Sequence, residues 1–327
     1  MNENSGAAAG VRNGRWRYGA GRAIVLRPVG GAVLLRILAV ALPPVGKLRA
    51  FRSGAAVKRK TDRYMADECY GTGFALSGGF VKGYAHLGAL QALFEYGIRP
   101  DIIAGVSIGA VAGVFIADGK TPKQVLELFM SKEFRSFTGF TRSRGGFMNL
   151  DNFYGFLRET LSVKRIEELA LPLVVTATDL DTGLSVHFRE GEIAPRVAAS
   201  CCVPGLFTPI EIDGDRYVDG GVLMNLPVSL LRGKCEKVVA VNLSRIVPDR
   251  DYRHNVFGIL LRTYHLMSHC NVIHDRRNAD MLIEPDGLAV YGNTQLDKGR
   301  EIFDIGYEAA RKVIEQVKDI VYPLSAM

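Results

Sequence analysis

Residues 101–113 read Asp101-Ile-Ile-Ala-Gly105-Val-Ser107-Ile-Gly109-Ala-Val-Ala-Gly113. A short apolar run meets a serine bracketed by glycines, and a small-residue stretch follows. The apolar run predicts a buried strand, and the continuation to about Ala117 predicts a helix packed close to it. A chain that turns this sharply from strand to helix holds the serine out of the sheet. Side chains two before and two after the serine would collide, so Gly105 and Gly109 stand there. The serine also heads a helix, whose positive end favours nearby negative charge. A strand–turn–helix unit of this kind belongs to an α/β sheet.

The flanks repeat the alternation. Upstream, Thr72–Leu76 predicts a strand that ends in Ser77-Gly78-Gly79. Leu87, Leu90 and Phe94 then share one face of a helix stopped by Gly97. Downstream, Thr121-Pro122 has the form of an N-cap with proline at the first helical position, opening a helix to about Met130. Helices are predicted over 151–161, 193–202, 255–274 and 297–318. Strands are predicted over 173–178, 185–188, 238–243 and 281–284, with a hairpin, 210–212 and 216–218, about Gly214. Strands alternating with helices predict one α/β domain over residues 71–327, with helices on both faces of the sheet.

Composition agrees. Hydrophobic residues make up 48% of the 327 and charged residues 23%, which excludes a disordered, collagen-like or coiled-coil chain. Five cysteines are too few for a disulfide scaffold, and the odd count fits a reducing compartment. The net charge of +7 is unevenly placed: residues 1–70 hold 13 Lys/Arg against 4 Asp/Glu, and the rest hold 28 against 30. The globular part is near neutral, which argues against nucleic acid as a partner. Residues 1–70 are predicted to be a basic, poorly ordered extension. Its apolar run from Val29 to Val45 is interrupted by Arg36 and ended by Pro43-Pro44, short of the roughly 20 residues a spanning helix needs. It reads either as an arm resting on an anionic membrane or as a disordered leader, with Met65 a candidate translation start. A cytoplasmic location with peripheral membrane contact is the expectation.

Three patterns carry chemistry. Ser107 in its glycine bracket is a candidate nucleophile. Ser77-Gly78-Gly79-Phe80-Val81-Lys82-Gly83 follows a strand and precedes a helix, so its backbone N–H groups make a nest for an oxyanion, with Lys82 adding positive charge. It matches neither phosphate-loop nor dinucleotide-loop spacing. Asp219-Gly220-Gly221 sets a carboxylate at a strand end, where two glycines allow close approach of another loop. Nucleophile, anion nest and carboxylate together describe an acyl-transfer site. No histidine is well placed as a base. His265 and His269, at i and i+4, have metal-pair spacing, but a solvated helix face is the plainer reading, and no metal or cofactor is implied.

As an ordered set these residues resemble the bacterial patatin-like phospholipases. Ser77-Gly78-Gly79 with Lys82-Gly83 is similar to the family's oxyanion loop, and Gly105-Val-Ser107-Ile-Gly109 to its nucleophile elbow. Ala199-Ser-Cys-Cys-Val-Pro204-Gly205-Leu-Phe207 is similar to the stretch before its acid. Asp219-Gly220-Gly221, followed by Asn225 and Pro227, is similar to the acid motif. The resemblance covers about residues 71–320. It implies a three-layer α/β/α fold with a mainly parallel sheet, and a Ser107–Asp219 dyad that forms an acyl-serine. Gly78, Gly79, Phe80 and Lys82 would form the oxyanion hole, and Gly83, Gly105, Gly109, Gly220 and Gly221 would support the motifs. The substrate would be a phospholipid or related acyl ester. Phe80 departs from the family, which usually has glycine there; its side chain disfavours positive φ.

Two alternatives stay open on the residues: an esterase with a Ser–Asp–His triad, and a lipid-binding protein without turnover. An acyl transferase using the same acyl-serine is a third. Residues 129–156 hold seven of the 16 phenylalanines (129, 134, 137, 140, 147, 153 and 156) with Arg135, Arg142 and Arg144. They read equally as a mobile apolar flap for acyl chains or as a loop packed on the core.

Overall fold

The computed structural model describes residues 69–134, 151–249, 252–291 and 295–321. Among the described residues eight strands form one sheet: β1 (Tyr70–Leu76), β2 (Ile102–Val106), β3 (Leu173–Asp179), β4 (Leu184–Phe188), β5 (Ile210–Ile212), β6 (Asp215–Asp219), β7 (Cys235–Val241) and β8 (Met281–Ile283). Their order is β5-β6-β3-β2-β1-β7-β8, and β4 pairs with β3 beside this path. The centre, β3-β2-β1-β7-β8, is parallel; β4, β5 and β6 join antiparallel.

The helices are α1 (Gly83–Glu95), α2 (Ile108–Ala117), α3 (Pro122–Met130), α4 (Asp151–Thr160), α5 (Ile193–Ser200), α6 (Val256–Arg276) and α7 (Gly299–Val321). Alternation along the strands divides the core in two. Phe74, Leu76, Ile103, Val175, Val239 and Val241 face the larger layer, which contains α1, α2, α3, α5 and α7. Ala75, Ile102, Ala104, Val174, Val238 and Ala240 face the opposite way, onto Leu226, Val228, Leu231 and Val272 of α6. The central strands are apolar on both faces because both are covered. The fold is three-layer α/β/α with a mainly parallel sheet.

Element boundaries follow local chemistry. The Thr121 hydroxyl accepts the Gln124 N–H while the Gln124 side chain accepts the Thr121 N–H, a reciprocal cap at the start of α3. Strand β7 begins at Cys235, three residues before the predicted start. Cys235-Glu-Lys lacks an apolar run, and its pairing comes from register with Tyr70 and Thr72 of β1. Strand β6 runs on to Asp219, so the candidate acid is the strand's last residue.

Phe129, Phe134, Phe153 and Phe156 are buried in the main core. Phe129 stacks on Phe134 with centroids 4.3 Å apart, and Phe156 meets Phe115 edge-on. These four take the core-packing reading. Phe137, Phe140 and Phe147, with Arg135, Arg142 and Arg144, lie outside the described residues, as do residues 1–68 and Met65.

Candidate active site

The site is built where two strands run toward each other. Strand β2 pairs with β3 as far as Val106, opposite Thr176. Strand β4 occupies the other edge of β3 from Val175 to Asp179, so β6 pairs on the same edge as β2. It runs antiparallel and ends with Asp219 opposite Ala177. One strand therefore delivers Ser107 and the other Asp219 to neighbouring positions along β3.

Ser107 has φ 53° and ψ −127°, a sparsely populated backbone conformation that its surroundings must hold. Its N–H donates to the Ser200 hydroxyl at 2.8 Å, and that hydroxyl donates to the Thr176 carbonyl at 2.7 Å. The turn is tight enough to require its glycines. A Cβ at Gly105 would lie 2.6 Å from the Gly109 carbonyl oxygen, and one at Gly109 would lie 2.3 Å from that of Leu76. Ser107 is 8% exposed.

Asp219 is fully buried. Its N–H donates to the Cys202 carbonyl at 2.9 Å, and its Oδ1 accepts the Gly221 N–H at 2.8 Å. Burial pushes its pKa up to about 6; the Gly221 N–H and the Ser107 and Tyr264 hydroxyls oppose this. Oδ2 completes no hydrogen bond, so the two hydroxyls flank the carboxylate without closing on it. Burial pushes the Tyr264 phenol and the neighbouring Cys201 thiol well up, and the Asp219 charge adds to both. No histidine is among the groups that shift Asp219.

The loop after β1 lies against Ser107. A Cβ at Gly78 would sit 3.4 Å from the Ser107 Cβ and 2.4 Å from Asn225 Oδ1. The Gly78 N–H donates to the Asn225 carbonyl at 3.3 Å. Gly78 therefore supplies close approach, and its N–H is engaged by Asn225. The N–H groups of Gly79 and Phe80 have no acceptor among the described residues. Phe80 takes φ 54° despite its side chain. Its ring meets His265 at 5.3 Å and Tyr264 at 6.1 Å, both edge-on. Packing thus holds a conformation that glycine would reach without strain.

The Ser77 hydroxyl accepts the Leu243 N–H at 2.8 Å, and His86 Nε2 donates to the Ser77 carbonyl at 2.7 Å. Burial lowers the pKa of His86 to about 4, so it stays neutral. His265 does not lie on a solvated face: it packs on Phe80, and burial followed by the Lys82 charge lowers its pKa to about 4. His269 Nδ1 donates to the Ser244 carbonyl at 3.1 Å. Among the described residues no three His, Cys, Asp or Glu side chains gather as a metal site.

A cavity of about 310 Å³ opens beside residues 78–82. Lys82, Arg245, Arg262 and His265 line it, with Asp249 the one carboxylate; Ser107 and Asp219 are not on its wall. Burial lowers the pKa of Lys82. Sequence reasoning missed Tyr264, Ser200, Ser77 and Arg262 as site residues. Ser200 lay inside the quoted 199–207 motif and Ser77 opened the quoted glycine loop; no spacing signal marked Tyr264 or Arg262.

Residues 74–232 match the family model "Patatin-like phospholipase". An uncharacterised NTE family protein of Mycobacterium tuberculosis is 34% identical over 196 residues, covering 56% of this chain and 52% of that protein. Lysophospholipase NTE1 of Saccharomyces cerevisiae is 29% identical over 180 residues, covering 52% of this chain and 11% of the yeast protein. Among solved structures, VipD from Legionella pneumophila aligns with a TM-score of 0.45 at 16% identity, over 76% of this chain and 67% of that one. The chain spans about half the length of the mycobacterial relative. With the ordered glycine loop, serine elbow and strand-end aspartate, the match makes residues 74–232 of this chain a patatin-like phospholipase domain.

Proposed function

We propose that the chain is a serine acyl hydrolase acting on phospholipids or lysophospholipids. Asp219 takes the Ser107 proton as Oγ attacks the ester carbonyl carbon. The tetrahedral oxyanion is held by the N–H groups of Gly79 and Phe80, each donor of this kind contributing about 3 kcal/mol to the barrier reduction. The C–O bond then breaks, and the leaving alcohol takes the proton from Asp219. Water, deprotonated by Asp219, releases the acyl group from Ser107.

The observation that carries this reading is the meeting of β2 and β6 on one edge of β3. A carboxylate near its ordinary pKa is a poor base for a hydroxyl; one pushed up to about 6 by burial is better matched to the task. Tyr264 rather than a histidine flanks Asp219, which favours a dyad over a triad. Phe80 takes φ 54°, a conformation glycine also reaches, which weighs against binding without turnover. The cations of the cavity suit the phosphate of a lipid headgroup. In this reading residues 71–327 form the hydrolase domain and residues 1–70 a basic arm, on a cytoplasmic protein that meets membranes peripherally. No described helix is long and apolar enough to cross a membrane.

The test is fatty-acid release from lysophosphatidylcholine and from diacyl phospholipid. Wild type releases fatty acid from at least one, and Ser107→Ala lowers the rate by at least about 10³-fold. Release that survives Ser107→Ala overturns the proposal.

A further inference from the structure

Helix α6 is apolar on two sides. Its inward side mixes core residues (Phe257, Leu261 and Val272) with polar ones. Tyr264 flanks Asp219, the Ser268 hydroxyl donates to the Gly221 carbonyl at 2.9 Å, and Asn271 Nδ2 donates to the same carbonyl at 2.9 Å. Asn271 Oδ1 also accepts the Asn225 N–H at 2.9 Å. These bonds fasten the helix across the catalytic loop.

Its outward side is apolar. Val256, Ile259, Leu260, Leu266, Met267 and Ile273 are 42–76% exposed. Counted with Thr263 and Cys270 between them they recur at spacings of three, four and seven, so they lie on one side of a helix about 31 Å long. In an ordinary surface helix such residues face the core. Here the core side combines hydrogen bonds to the loop that carries Asp219 with Phe257, Leu261 and Val272 packed on the core, and a second set of apolar residues is turned outward.

Charge identifies what covers the stripe. From Tyr252 to Arg277 the fixed charges are Arg253, Arg262, Arg276 and Arg277 against Asp275 alone. Asp275 is buried and accepts the Ser229 N–H at 2.8 Å, and Arg276 pairs with Glu284, so the helix's own exposed charges are arginines, with Asp249 the acid that acts on His265 from the preceding loop. An apolar stripe with arginine flanks is the pattern of a helix lying in the plane of an anionic bilayer.

We infer that α6 is the membrane-docking surface of this protein and seats its exposed stripe in the headgroup–acyl boundary of anionic lipid, with the catalytic loop fastened to its inner side. The inference deepens the lipid-ester reading, because such docking brings the site to its substrate without extracting the lipid into water.

The test uses the full chain and vesicles of equimolar phosphatidylglycerol and phosphatidylcholine, with pure phosphatidylcholine for comparison. Wild type and Ser107→Ala sediment with the anionic vesicles. The triple variant Ile259→Gln, Leu266→Gln, Ile273→Gln lowers that partition about tenfold or more, while its circular dichroism and its turnover of a short soluble ester stay unchanged. As a second readout, Met267→Trp gains a fluorescence signal that brominated acyl chains quench. Failure of wild type to bind, unchanged binding in the triple variant, or an unquenched Met267→Trp that still binds overturns the inference. So does a wild-type dimer that the triple variant dissolves, because the stripe is then covered by a second copy. Vesicle binding is read on Ser107→Ala, so the docking surface stands or falls separately from the hydrolase reading.

Discussion

Asp219 holds its carboxylate fully buried. Its pKa of about 6 predicts activity that rises with pH through about 6 and then levels, as the base loses its proton. The sign for stability is opposite. A carboxyl raised in the folded state binds its proton more tightly there than when unfolded. Its contribution is therefore fully present below about pH 4 and is lost as pH rises through about 6. At neutral pH the buried charge costs on the order of 3 kcal/mol, so Asp219→Asn should raise Tm at pH 8, with the gain vanishing near pH 4, while activity collapses. A Tm gain that is flat in pH would refute burial as the cause. Tyr264→Phe removes a hydroxyl that favours the charged carboxylate, so the acidic limb of the rate profile should move to higher pH. Phe80→Gly exchanges edge-on ring contacts for freedom at positive φ. Relief of strain is about 1 kcal/mol and the lost apolar burial is somewhat larger, so Tm should fall slightly while Ser107 stays reactive.

At the scale of elements, the site depends on how β2, β6 and α5 end. Helix α5 stops at Ser200, whose hydroxyl joins the Ser107 N–H to the Thr176 carbonyl. Ser200→Ala leaves both partners short of a bond. Steady-state kinetics should show kcat falling by about tenfold with KM little changed, because the elbow is positioned rather than built by this contact. An equal rise in KM would mean that Ser200 shapes binding instead. The capping box of α3 lies away from the site, and Thr121→Ala should cost about 1 kcal/mol of stability with no change in turnover.

Across the whole molecule, the sequence made legible what short-range geometry dictates. Gly105 and Gly109 bracket Ser107 because a Cβ at either would strike backbone; the Gly105 collision, with Gly109, is encoded within five residues, and the Gly109 collision comes from Leu76 at the end of β1. The apolar runs at Leu173–Thr178 and Ile102–Ala104 read as strands because both faces of the sheet are covered. Contacts made by crossing elements stayed hidden. Tyr264 reaches Asp219 only because α6 crosses the loop after β6, and nothing in its spacing marks it. The outward stripe of α6 was hidden for the same reason: apolar residues on both sides of the helix do not tell from spacing which side the protein covers. Phe80 was a departure from the glycine pattern whose resolution lay in His265 and Tyr264, 185 and 184 residues further on.

The central claim is that Ser107 is a nucleophile activated by Asp219. A fluorophosphonate probe, read by mass spectrometry of the labelled peptide, tests it most directly. The account predicts an adduct on Ser107 in wild type, at a rate that rises with pH through about 6. It predicts no adduct in Ser107→Ala and labelling at least about 10²-fold slower in Asp219→Asn. A folded wild type that takes no label on Ser107, or an Asp219→Asn variant that labels as fast as wild type, would contradict it.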